Sequence, residues 1–449
     1  RLIKIVGHLG REIQFTYRGG QISKMIDPAG NVYTYGYDEA SSYVYPGQIP
    51  PGNLTSVTFP DGKKRIYWYN EPANTANTNL PTVLTGITDE NGIRYATIKY
   101  DKYAYAISTE LANGIDKYTV SYGTTDRTVV YPLGASVTHN FSHANMIAKG
   151  TSIILPELPG TPQAISRRYY DANGNLSSSW DFKGVITDYT YNLSRNLETK
   201  RVEASGTVDA RTTSTIWHPT FRIPTQIDAP LLRTTYTHDA NGNVLTKTEQ
   251  ATTDVNGSQG AAAAVVGTPR VWRYTYNTIG QVLTATGPRT DVVDTTTYTY
   301  DNQGNLVTVT NAAGHVTTMS NYDPHGHVGT ITDPNGVVTN LTYHVRGWLL
   351  SRAVTADGIT ETTNYTYDGV GQMTKVTLPD NSTVNYTYDD AHRLTQISDH
   401  LGNSITYTLD NMGNRTKEEV KDSTGALSRQ VTRVYDALSR LKEVTGAAQ

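Results

Sequence analysis

The chain has 449 residues, a formal net charge of −3 and no cysteine. Disulfides, zinc–thiolate sites and thiol nucleophiles are thereby excluded, and the charge argues against a general nucleic-acid or anionic-membrane surface. The apolar share is a low 37%, yet there are 32 Tyr against 5 Phe and 5 Trp; a residue that joins an apolar ring to a hydroxyl suits wide, half-wet sheet surfaces rather than one dry core.

Residues 1–100 already show a repeating pattern. Glu12-Ile13-Gln14-Phe15-Thr16-Tyr17 alternates polar and apolar and reads as a half-buried strand. Asp27-Pro28-Ala29-Gly30 has the residue order of a type I turn, and Val32-Tyr33-Thr34-Tyr35-Gly36-Tyr37-Asp38 follows it. The same order recurs from Asp61-Gly62 to Tyr67-Trp68-Tyr69-Asn70, and from Asp89-Glu90-Asn91-Gly92 to Tyr100-Asp101. Residues 102–165 lose the period. Asn140-Phe141-Ser142-His143 reads as turn-like, and Pro156, Pro159 and Pro162 as a change of direction. The stretch is expected to hold degenerate repeats with an insertion.

From Arg167 the unit is regular: Tyr-Asp, about two linker residues, Gly, one residue, then an apolar position. Tyr170-Asp171-Ala172-Asn173-Gly174-Asn175-Leu176 opens the series. Residues 202–232 are irregular; Asp239-Ala240-Asn241-Gly242-Asn243-Val244 then resumes it, and 254–264 is expected to be an exposed loop. Tyr300-Asp301-Asn302-Gln303-Gly304 and Tyr322-Asp323-Pro324-His325-Gly326-His327 continue the array, followed by Tyr367-Asp368, Tyr388-Asp389, Leu409-Asp410 and Tyr435-Asp436. Asp323 follows Asp301 by 22 residues, and Asp389 follows Asp368 by 21. A fixed period of that size signals a repeat architecture. Thr, Val and Tyr favour pleated surfaces, so helix is expected to be nearly absent.

One unit makes two strands and two turns. A lone hairpin is marginal in water, but hairpins stacked edge to edge bury a shared face and pair their inner edges. Strand twist then curls the long ribbon. The Asp is expected to cap its turn through its side chain, and Gly to supply a positive φ.

Tyr-Asp-x-x-Gly-x-Leu at this period resembles the YD repeats of the Rhs family, whose relatives include Tc toxin shell subunits, wall-associated polymorphic toxins and teneurins. The resemblance covers most of the chain and is most specific at 167–200 and 296–445. It implies an all-β fold, a YD-repeat β-hairpin ribbon spiralling into a hollow, barrel-like cocoon. Residues 1–166 would be a degenerate shell segment with insertions and 167–449 a regular one, in one continuous body. The implied function is a secreted structural shell that sequesters the C-terminal toxin of an exported polymorphic toxin. The implied partners are that toxin and, with it, secretion-apparatus or other shell components. The family's cleavage segment, Asp-Pro-x-Gly-Leu, has no match: Asp333-Pro334-Asn335-Gly336 is followed by Val337 and reads as a turn.

The start at Arg1-Leu2-Ile3-Lys4-Ile5 has no signal-peptide pattern and lies inside a strand-like stretch, so the chain is expected to be a piece of something longer. The longest aliphatic run, 261–266, is too short for a membrane span.

Catalytic, metal and cofactor sites are not expected. Each Asp recurs in one turn slot, unlike a unique catalytic carboxylate. His325 and His327 alternate near Asp323 as metal ligands would, but they occupy the turn slot where sister units carry Asn or Gln, and a turn role is assigned to them. The Tyr-rich face is expected to line a cavity and offer hydroxyls to a guest. Two other readings stay open: a surface module whose Tyr-rich sheets bind glycans, and a repeat-built enzyme.

Overall fold

The computed structural model describes residues 1–38, 52–144 and 147–448. Thirty-seven strands form one sheet. Each pairs antiparallel with the next in sequence, from Lys4–Val6 on Glu12–Arg18 to Leu427–Tyr435 on Leu441–Ala448. The ribbon among the described residues is therefore a single meander, and its first and last strands do not pair to close a barrel. Three 3₁₀ turns of three residues each are the helical elements among the described residues.

The regular hairpin shows why these residues form strands. In Thr295–Tyr300, Thr297 and Thr299 are exposed while Tyr298 and Tyr300 are half-buried on the other face. Exposed threonines pair across strands through their hydroxyls, Thr299 with Thr308 and Thr275 with Thr284, each at 2.6 Å. Such cross-strand pairs are a unit of sheet stability.

At the Tyr of most regular units the register slips. Thr299 faces Thr308, but Tyr300 faces Leu306, so Val307 is an extra residue. The same β-bulge follows Thr342, Thr366 and Thr387. A bulge bends its strand and increases local twist. Repeated in hairpin after hairpin, it gives the ribbon a persistent curl that alternation alone does not reveal.

The curl brings the ribbon back onto itself. Asp27 meets His325, Asn91 meets Asp368 and Asn113 meets Asp390. Solvent-accessible area is 25527 Å², against about 17,000 Å² for a compact monomer of this mass. Few side chains are fully buried, Val137, Thr75 and Thr85 being the largest. The chain is a wall one sheet thick.

One local expectation is corrected and one is refined. Asn140, Phe141 and His143 lie inside the strand Ser136–Ala144, not in a turn; its β-bulge at Asn140/Phe141 breaks the alternation that marks a strand in sequence. Residues 254–264 form the exposed loop expected, but one anchored on the wall. The Asp254 carboxylate, itself buried, accepts from the backbone N–H of Gln259, and Gly257 packs on the Thr212 carbonyl.

Candidate functional site

Two constructions recur where a wall protein has its chemistry: the turn motif and the seam where the ribbon meets itself.

In the turn at Asp301, Oδ1 accepts the backbone N–H of Gln303 at 2.9 Å and of Asn305 at 2.8 Å. Oδ2 accepts the Asn305 side-chain amide at 2.8 Å. The Gly304 N–H donates to the Asp301 carbonyl, with Gly304 at φ +76°. Asp171 and Asp239 make the same bonds with Asn175 and Asn243, around Gly174 and Gly242. Asp368 caps Val370, Gly371 and Gln372. Asp389 and Asp436 cap Arg393 and Arg440 and also hold their guanidinium groups. In these two turns His392 and Ser439 occupy the positive-φ slot, at +63° and +65°, where a β-carbon is strained.

The carboxyls of Asp171, Asp239, Asp301 and Asp436 titrate low. The Asn175 amide holds Asp171 below its ordinary value. At Asp301 burial pushes upward, but the bonds from Asn305 and Gln303 together outweigh it.

The motif tyrosines that close the regular strands spend their hydroxyls on the wall itself. Tyr170 donates to the Gly150 carbonyl at 2.7 Å, Tyr300 to Val282 at 3.0 Å, Tyr367 to Leu349 at 2.9 Å and Tyr388 to Met373 at 3.0 Å. Tyr322 donates to Leu306. Each acceptor sits in an earlier strand, so the motif Tyr ties one hairpin to its predecessor. Burial pushes the phenols of Tyr300, Tyr322, Tyr367 and Tyr388 upward. Tyr435 belongs to the same slot and ends the strand Leu427–Tyr435.

At the seam, turns of the first coil face turns of the second. His325 Nε2 lies 2.9 Å from Asp27 Oδ2, and His392 Nε2 2.8 Å from Asp89 Oδ2. Burial pushes the Asp27 carboxyl up, but bonds from His325 and Asn31 outweigh it and hold it low. Arg346 donates to Glu90 at 3.1 Å, to Asp61 at 3.3 Å and to the Gly369 carbonyl at 2.7 Å. Its guanidinium also lies over the rings of Phe59 and Trp348. Arg65 shares Glu90 at 3.0 Å. His392 stacks on Tyr95, and the Asp116 N–H donates to the Asn411 carbonyl. These seam residues were not legible as partners; the visible signal was a His or Arg where sister turns carry Asn, Gln or Gly.

Asp323, His325 and His327 bring one carboxylate and two imidazoles within 4.8 Å of one another, the group among the described residues with the spacing to hold a metal ion.

Residues 263–418 match the family model of the teneurin YD-shell. The chain is similar to the crystal structure of TcdB2-TccC3 without hypervariable C-terminal region, with 14% identity and a TM-score of 0.67 over 96% of this chain and 24% of that one. It is similar to TcdB2-TccC3-Cdc42, with 14% identity and a TM-score of 0.65 over 95% of this chain and 24% of that one. A third structure, TcdB2-TccC3, gives 13% identity and a TM-score of 0.52 over 97% of this chain and 32% of that one. At that identity the likeness is one of fold. The chain spans between a quarter and a third of the length of these structures. No curated protein matches.

Proposed function

We propose that this chain, a YD-repeat shell protein of the Rhs and teneurin kind, walls off a polypeptide guest, the toxic C-terminal segment of an exported toxin. The observation that carries the reading is the seam. A one-layer ribbon that returns to itself after 298 residues and is pinned there, at Asp27 and His325, has the build of an enclosure. A packed domain would bury its apolar face against a second layer; this one leaves it half-buried.

Sequestration of this kind needs no catalytic residue. The regular carboxylates are occupied by turn amides, and the motif tyrosines by wall carbonyls. The wall holds its guest by exclusion, so the chain by itself is not an enzyme. The guest's natural setting is outside the producing cell, reached through a bacterial secretion route, with other shell components completing the container. No helix among the described residues is long and apolar enough to cross a membrane.

The test expresses the gene product with whatever it encodes beyond Gln449 and challenges it with protease. Protection of the following segment, lost when Thr296–Thr445 are deleted, is the expected result. Equal digestion with and without those repeats rejects enclosure and leaves a surface-binding module in front.

A further inference from the structure

We infer that Asp323, His325 and His327 form a binding site for one divalent transition-metal ion of the zinc class, in the second-coil turn that His325 ties to Asp27 of the first coil.

The argument begins with the turn. In the turns at Asp171, Asp239 and Asp301 the residue four after Asp is Asn, and its amide returns to Asp Oδ2. His327 takes that slot, with Nδ1 2.8 Å from Asp323 Oδ2. The residue two after Asp points away from its own turn. Asn91 uses that slot to cross the seam to Asp368. His325 uses it to reach Asp27 of the first coil. The backbone N–H groups of His325 and His327 both donate to Asp323 Oδ1 at 2.9 Å, which leaves Oδ2 to the His327 ring, with His325 Nδ1 3.8 Å away.

The distances suit an ion. His327 Nδ1 and His325 Nδ1 stand 2.8 and 3.8 Å from Asp323 Oδ2. Ligand atoms each about 2.1 Å from a tetrahedral centre are roughly 3.4 Å apart, which those values bracket. The other face of His325 is the second observation. Its Nε2 is 2.9 Å from Asp27 Oδ2, and Asp27 is buried. A carboxylate behind a ligating imidazole holds the N–H on the far nitrogen, leaves the near lone pair free and raises its basicity. Metal ligation at His325 would thus polarise its far N–H and strengthen the bond to Asp27 of the first coil.

His327 is stacked on Tyr343, ring centroids 4.8 Å apart, so its plane is fixed. Arg11 brings a positive charge beside Gly326, and its guanidinium donates to Asn305. Two nitrogen donors and one oxygen favour zinc, cobalt or nickel over magnesium or calcium. The side chains of Asp323, His325 and His327 are 31%, 26% and 38% exposed, which leaves solvent access for a fourth ligand. The ion would replace the proton now shared by His327 and Asp323.

The experiment uses the whole chain, freed of metal with EDTA. Calorimetric titration with zinc chloride is expected to show one strong site per chain, and zinc to raise the melting temperature where magnesium and calcium do not. Cobalt is expected to give the visible bands of a four-coordinate site. H327N restores the residue that sister turns carry, so it should melt with the parent in EDTA, yet lose the cobalt bands and the zinc shift. D27N should bind about 10- to 100-fold more weakly with the same stoichiometry. The absence of a strong site in the parent, or a site unchanged in H327N, overturns the assignment.

Discussion

Arg346 donates to the carboxylate of Glu90 at 3.1 Å across 256 residues of chain. The Glu90 side chain is fully buried and that of Arg346 only 10% exposed. Arg346→Ala would leave Glu90 with Arg65 alone and strip the rings of Phe59 and Trp348 of their partner. Removing one member of a buried pair costs about 3–5 kcal/mol, and the surviving Arg65 contact places this loss near 3 kcal/mol. Arg346→Lys keeps the charge but lacks the planar fork, so its loss should fall between the two. Urea unfolding measures both. Unchanged stability in Arg346→Ala would show that the seam does not hold the coils.

The turn carboxylates should behave as caps. Asp301→Ala loses bonds to Gln303 and Asn305 and should cost about 0.5–2 kcal/mol, by analogy with a lost helix cap. Asp301→Asn retains an acceptor at the Oδ1 position and should cost less. Thermal melts of the two variants decide the point. Equal damage from Asn and Ala would mean that the negative charge, rather than the acceptor, is required.

A third expectation tests the tyrosine tie. Tyr388→Phe removes one hydroxyl, that donating to Met373 at 3.0 Å, and little volume. The loss should be about 0.5–1.5 kcal/mol, the net worth of one intramolecular hydrogen bond. Hydrogen exchange should report it as faster opening of the hairpin Thr383–Asp399. A neutral effect would mean that packing of the ring alone joins the hairpins.

The pH dependence follows from Asp27, Asp301 and Asp323. At Asp27 and Asp301 burial pushes upward and the hydrogen bonds win; at Asp323 burial is likewise outweighed, by His327. All three are thus lower in the folded chain than in the unfolded one. Such groups contribute stability above the unfolded value, about 3.9, and lose it as pH falls through the folded value. Urea midpoints should change little through these carboxyls between pH 7 and 5 and fall below about pH 4. A midpoint that rose on acidification below pH 4 would contradict the assignment.

What the sequence determined by itself was everything decided within a few residues. The Asp-x-x-Gly slot sets its own hydrogen bonds over five residues, so turns such as 301–305 and 171–175 were readable directly. Alternation of Thr and Tyr named the strands, and their regular spacing named the repeat. The bulge at the Tyr of most regular units was hidden, because an extra residue such as Val307 has no side-chain signature and shows only in cross-strand register. The tertiary structure alone decided the partners of the Tyr388 hydroxyl, Arg346 and His325. Those pairings depend on the curl accumulated over the intervening hairpins, and no local pattern encodes which turn of the first coil will arrive beneath which turn of the second. His392, strained at φ +63° in a slot that Gly would occupy freely, is intelligible only once Asp89 and Tyr95 are seen beside it.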